Sequence, residues 1–333
     1  MNRVFIAGIA LSLLGTTVPS AHATFPGDNG RIVVLAKSEV REDVPGYRYV
    51  SVRSDWTDRR ELGFFRGWDL SISPDQDWVS YSGSTAGGET RGIWKARIDG
   101  SGASLLTTKP AAPDFSSDVW PSWSSDGSRI LFIRERGTPP YTSRLMTVDR
   151  DGSGLEQLTD GAFLDMYAKW SPRSDLIAFV RCSDVNRHLF FTSSPLALVC
   201  EGADIYVITS GGGTPRLLGG PTERSEAHLD WSPDGSRIAF TCDGDTTNQN
   251  DGRGGICVMN VATEAVRRIY ASRNRGMFPH WSPDGKLIYF TVTPRTEEDA
   301  DSEIFSIRRD GTGLRQITDN KRDQRPIRGW LAR

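Results

Sequence analysis

Apolar and polar positions alternate along this chain in short bursts, and the bursts recur. Residues 237–240 read Arg-Ile-Ala-Phe and residues 286–290 read Lys-Leu-Ile-Tyr-Phe. Runs of that length and pattern predict half-buried strands. Each follows the phrase Trp-Ser-Pro-Asp-Gly, at 231–235 and at 281–285. Proline pre-sets φ for a turn, aspartate bonds its own backbone, and glycine accepts positive φ, so the phrase predicts a tight turn between two strands. The tryptophan ends the first of these strands and is large enough to be wedged between neighbouring sheets.

Variants of the phrase place an anchor residue at Ile72, Trp123, Trp170, Trp231, Trp281 and Trp330. The spacing is roughly fifty residues, long for one hairpin and right for a repeated supersecondary unit. The second half of each repeat carries another strand pattern, at 92–98, 143–148, 204–208, 256–261 and 303–307. Turns such as Asp151-Gly152-Ser153-Gly154 and Asp310-Gly311-Thr312-Gly313 follow, and then a short last strand at 155–159 or 314–318. Four antiparallel strands per repeat is the unit of a β-propeller blade. Near the N-terminus, Asn29-Gly30-Arg31-Ile32 reads as the end of a turn and the strand after it, with no strand before. Trp330 stands in an anchor position with nothing after it but three residues. The expected fold is therefore all-β: a six-bladed β-propeller of four-stranded antiparallel blades, closed by the C-terminal strand pairing into the first blade.

The phrases at 231–240 (WSPDGSRIAF), 204–208 (DIYVI) and 310–319 (DGTGLRQITD) resemble TolB-type, WD-like propeller repeats. The resemblance covers essentially all of the chain after residue 23. It implies a six-bladed propeller and a periplasmic protein that binds partners of the Tol–Pal envelope system. TolB proteins pair the propeller with an N-terminal α/β domain, whereas this chain is expected to enter the propeller directly. Similar propellers also precede the hydrolase domain of prolyl-oligopeptidase-like enzymes.

On this reading the Ser-Pro-Asp-Gly turns share one face of the ring, and the long insertions at 183–201, 243–254 and 291–301 share the other. Loops on a rigid scaffold are where binding concentrates, so the ligand site is expected on the long-loop face around the channel. Five residues before their anchors stand Asp118, Asp165 and Glu226, with Arg325 in the matching place of the closing strand. They could form a charged arc at the channel mouth, or a solvated strand edge. Glu226, His228 and Asp230 alternate, which on a regular strand puts them on one face, and His280 precedes the next anchor. That column could ligate a metal or do acid–base work in a lyase or hydrolase, or hold a structural histidine between blades. The ligand set considered is thus Asp118, Asp165, Glu226, His228, His280 and Arg325. Asp243, Asp245, Asn248 and Asp251 form an oxygen-rich loop that could take Ca2+ or another divalent cation, although its spacing is not that of an EF-hand. No G-x-S-x-G, H-E-x-x-H or phosphate-loop pattern occurs.

Composition adds three points. The chain has 333 residues with a formal net charge of −2 and no basic run, which argues against a nucleic-acid partner. Arg3, the apolar run 4–14 and Ala21-His22-Ala23 read as a secretory signal, residues 1–23, cleaved near Ala23, with an uncleaved anchor as the alternative. No later run is long enough to span a membrane, so the propeller of residues 24–333 is expected to be periplasmic or secreted, and monomeric. Four cysteines suit an oxidising compartment. They allow three pairings, of which Cys182–Cys200 and Cys242–Cys257, each within one repeat, are favoured. A zinc site lacks its C-x-x-C spacing.

Overall fold

A computed structural model describes residues 29–36, 47–54, 57–65, 67–84, 91–108, 115–136, 142–182, 203–219, 227–242, 254–272, 275–293, 302–318 and 327–331. Each Ser-Pro-Asp-Gly phrase makes the turn its chemistry predicts. The serine hydroxyl donates to the aspartate, at 2.6 Å in both Ser232–Asp234 and Ser282–Asp284. It also accepts the N–H that opens the next strand, Arg237 at 2.9 Å and Leu287 at 3.0 Å. Gly235 and Gly285 take φ of 69° and 67°. In the Ser-Pro-Asp-Gln turn of the second blade, Gln76 adopts the same left-handed backbone (φ 62°) without being glycine.

These turns join strands into six four-stranded antiparallel sheets. The first blade is assembled from both ends of the chain: Ile327–Leu331, Arg31–Ala36, Tyr47–Arg53 and Arg60–Phe65. Each of the other blades is continuous in sequence and runs outward from its innermost strand. Those strands are Gly67–Ile72, Phe115–Trp123, Leu164–Trp170, Ala227–Trp231 and Arg275–Trp281. Together with Ile327–Leu331 they touch one another in ring order. The split copy keeps the register of the intact ones. Trp330 lies opposite Ile32 as Trp231 lies opposite Ile238 and Trp281 opposite Ile288.

The cores lie between blades. Every anchor is buried, with Trp231, Trp281 and Trp330 each 1% exposed. Trp330 packs with Ile32 and Val50 of its own blade against Tyr289 and Ile304 of the sixth. Two anchor indoles also donate to the preceding blade, Trp123 to the Ser71 carbonyl (3.3 Å) and Trp231 to the Lys169 carbonyl (3.2 Å). Cys242 and Cys257 form a disulfide between the second and third strands of the fifth blade. Cys182 is also disulfide-bonded, and Cys200 lies outside the described residues.

Two of these interfaces bury charge as matched pairs. Asp118 accepts two bonds from Arg134 (2.7 and 2.8 Å) and one from Thr107 of the preceding blade (2.7 Å). Asp165 repeats the arrangement one blade on, with Arg181 at 2.7 and 2.9 Å and Thr159 of the preceding blade. All four charged side chains are almost fully buried. A bidentate guanidinium–carboxylate pair satisfies both groups, which is the condition for burying them.

Two outcomes follow from this architecture. Trp330→Ala should cost about 3–5 kcal/mol in urea unfolding, the range for a buried tryptophan, and truncation after Asp323 should cost more. An unchanged unfolding midpoint in either would mean that the ring is not held closed by this strand. Asp165→Ala, which leaves Arg181 buried without its carboxylate, should cost about 3–5 kcal/mol, and the double change Asp165→Leu/Arg181→Met should recover most of that loss.

Candidate functional site

Side chains alternate faces only while a strand stays regular, and the innermost strands do not. Three residues before its anchor, each of five innermost strands carries a residue with positive φ: Asp69 (55°), Trp120 (52°), Tyr167 (52°), His228 (44°) and Phe278 (55°). The pairing register slips at the same place in each of these strands. This is a β-bulge, which re-aims one side chain and kinks the strand. Left-handed backbone costs a non-glycine residue on the order of 1–3 kcal/mol and persists where the surroundings impose it.

The re-aimed side chains meet. Ring centroids are 4.8 Å apart for Trp120 and Tyr167, 4.1 Å for Tyr167 and His228, and 3.9 Å for His228 and Phe278. These four residues come from four consecutive blades. Tyr167 touches its counterpart in the blade before and in the blade after, and so does His228. Contact with both neighbouring blades places these rings toward the axis, in an arc around the channel, while Trp120 and Tyr167 also pack on the inter-blade cores. All four are partly exposed, unlike the buried anchors. Asp69 occupies the same column in the second blade.

Carboxylates adjoin the arc. Glu135, on the second strand of the third blade, is 5% exposed and accepts a bond from the Ser117 hydroxyl at 2.8 Å. Burial pushes its carboxyl up to about 7, and the Asp69 and Asp118 carboxylates push the same way. Burial likewise raises the Tyr167 phenol, with Asp69 and Glu135 adding to it, so both carboxylates act at the middle of the arc.

The residues singled out from sequence fall into four places. Asp118 and Asp165 lie in the inter-blade pairs with Arg134 and Arg181 rather than free at a channel mouth. His228 and Asp230 do not share a face, because the extra residue at the bulge turns His228 into the ring stack. Asp230 and His280 do come together, with Asp230 Oδ2 3.6 Å from His280 Nδ1. Glu226, Arg325, Asp243, Asp245, Asn248 and Asp251 lie outside the described residues. Among the described residues no three metal-ligating side chains converge.

Trp120, Tyr167, Phe278, Asp69 and Glu135 were not found from sequence. The column three residues before the anchors reads Asp, Trp, Tyr, His, Phe, and its aromatic run was the available signal. Strict alternation assigns that column to an inter-blade face, which hid it.

Asp230 is placed for packing. It is 2% exposed, and its Oδ2 accepts the Trp281 N–H at 2.9 Å, tying the fifth blade to the sixth. Burial pushes this carboxyl from 3.8 up to about 8. The folded chain therefore keeps a proton that the unfolded chain releases. The group's contribution to stability is complete below about pH 4 and is lost as pH rises toward 8. Asp230→Asn keeps an acceptor for Trp281 without the proton. It should flatten the fall in melting temperature between pH 5 and pH 8; the same slope in both proteins would count against the raised carboxyl.

Residues 124–247 match the family described as the dipeptidyl peptidase IV N-terminal region. An uncharacterised protein of Agrobacterium fabrum is 34% identical over 117 residues, which is 35% of this chain and 36% of that protein. The chain thus matches about a third of that relative's length. Among solved structures, TolB from Acinetobacter baumannii superposes with a TM-score of 0.66 at 16% identity, over 91% of this chain and 67% of that one. Oligogalacturonate lyase from Vibrio parahaemolyticus gives a TM-score of 0.57 at 14% identity, over 89% and 77%. At such identities the likeness is one of fold, and the chain is a six-bladed β-propeller of the kind seen in TolB.

Proposed function

We propose that this chain is an exported propeller that acts as a binding module, holding an envelope or extracellular protein, or a polymer, on its long-loop face around the channel. The observation that carries the reading is the arc of Trp120, Tyr167, His228 and Phe278. It is a partly exposed aromatic surface, held in strained backbone, on the axis of an otherwise well-packed ring. Aromatic side chains supply large contact area at low conformational cost and dominate binding hot spots. The insertions after Cys182 and Cys242 leave from the ends of second strands, opposite the Ser-Pro-Arg-Ser and Ser-Pro-Asp-Gly turns that precede those strands. Export rests on the signal-like residues 1–23 and agrees with the disulfide of the fifth blade.

A lyase or hydrolase built on Glu226, His228, Asp230 and His280 is less well supported. Acid–base work needs a group that can reach substrate, whereas Asp230 is buried and bonded to the Trp281 amide. The likeness to an oligogalacturonate lyase is one of fold and transfers no chemistry.

Cross-linking in the native extracytoplasmic compartment, followed by mass spectrometry, tests the reading. The intact protein should capture a defined partner. Replacing residues 184–199 with a short Gly-Ser linker, which keeps both cysteines, should reduce capture about tenfold or more at unchanged melting temperature. Undiminished capture by this variant would place the partner elsewhere on the ring. Turnover of a polymer that disappears in His228→Ala, with the fold intact, would favour the enzyme instead.

A further inference from the structure

The binding reading leaves the chemistry of the ligand open, and the channel narrows it. We propose that the aromatic arc of Trp120, Tyr167, His228 and Phe278, with the carboxylates of Asp69 and Glu135 beside it, is a site for an organic cation, an ammonium or guanidinium group. This rests on the channel being the binding site and goes on to name what it binds.

Three observations converge on that class of ligand. The first is the set of π faces. Four rings from consecutive blades stand in contact, partly exposed, on the axis side of the innermost strands. The face of an aromatic ring is its electronegative region, and cations within about 6 Å of the centroid are attracted to it. The second is charge. The buried arginines of the third and fourth blades are committed elsewhere, Arg134 to Asp118 and Arg181 to Asp165, each through two bonds. Glu135 is instead held by a neutral hydroxyl, that of Ser117, and the charges bearing on it are the Asp69 and Asp118 carboxylates. A cation beside Glu135 and the Tyr167 ring would offset the repulsion that helps to raise the Glu135 carboxyl.

The third observation is the backbone. The register slips before the anchor in all six innermost strands, and of the five residues with left-handed backbone there only that of the second blade carries a carboxylate, next to the arc. Asp69 precedes Trp120 in the column, and Tyr167 lies within the field of both Asp69 and Glu135. Neutral sugars stack on aromatic rings as well, and their hydroxyls can donate to the same carboxylates, so the neutral oligosaccharide is a necessary control. The polar groups at this arc are the carboxylates of Asp69 and Glu135, the Tyr167 hydroxyl, the His228 imidazole and the Trp120 indole N–H. A cation can come from a small molecule or from a lysine or arginine side chain of a partner, and the chemistry is shared.

Titration calorimetry on the mature protein tests the proposal. The probes are choline, its uncharged carbon isostere 3,3-dimethylbutan-1-ol, N-acetyl-lysine amide, N-acetyl-arginine amide and a neutral cello-oligosaccharide. At least one cation should bind saturably, and choline should be preferred over its isostere by about tenfold. Asp69→Asn and Phe278→Asn should each weaken the cation by about tenfold at unchanged melting temperature, since asparagine tolerates left-handed backbone. Glu135→Gln, which keeps an acceptor for Ser117, gives the same test away from the bulge if either variant is unstable. Tighter binding of choline would point to a free quaternary amine, and tighter binding of an amino-acid amide to a partner's side chain.

Equal affinity for choline and its isostere, binding of the oligosaccharide alone, saturation by no cation, or cation binding indifferent to all three changes would overturn the proposal. Partner capture in Phe278→Asn separates the two readings. If capture is lost while no cation binds, the channel stands as the site and only the ligand chemistry falls. If capture is kept, the channel itself is not the site.

Discussion

A propeller blade has two apolar faces and can bury each only against a neighbour, so any open row of blades leaves two faces bare. Here the last pairing, Trp330 opposite Ile32, removes both. Trp330 belongs to the last strand of the chain and packs on Tyr289 and Ile304 of the sixth blade. Val33 and Tyr49 of the same composite blade pack on Leu70 and Ile72 of the second. Every other interface holds its geometry because this one closes the circle, and the exposed sheet edges at the two chain ends disappear with it.

Closure has a further consequence at the centre. Six innermost strands converge on an axis where regular alternation would leave every second side chain between blades. The bulge before each of five anchors breaks that alternation and sends one side chain inward. The same five residues carry the left-handed backbone, so the strain and the inward aim have one cause. What lines the channel is therefore set by a second column of sequence, Asp69, Trp120, Tyr167, His228 and Phe278, of which Trp120 and Tyr167 also pack on the inter-blade cores. The anchor column, three residues later, is committed to packing and is uniformly large and apolar.

The treatment of charge separates scaffold from site. At the interfaces, Asp118 and Asp165 each meet a guanidinium through two bonds, and Asp230 keeps its proton while accepting a backbone N–H. Each is a way of burying a carboxyl without leaving a bare charge. Beside the channel, Glu135 and Asp69 act on one another and on Tyr167.

The scaffold was legible in the linear chain because its determinants are local. Turn chemistry in Ser-Pro-Asp-Gly, the alternation of Arg237 to Phe240 and the spacing of the tryptophans each act over a few residues and repeat, and the split copy at Asn29 and Trp330 followed from the same count. The Cys242–Cys257 pairing was legible for the same reason, both cysteines lying in adjacent strands of one blade. The candidate site was not. Asp118 and Asp165 looked like an acidic arc because their arginines lie sixteen residues downstream on the neighbouring strand, a relation that exists only in the folded blade. His228 looked like part of a column with Asp230 because a bulge leaves no mark in the alternation of a single strand. Local sequence determined the blades, their number and their closure. The direction of the side chains on the innermost strands was decided by the ring, because only six strands crowded around one axis impose the bulge that turns them inward.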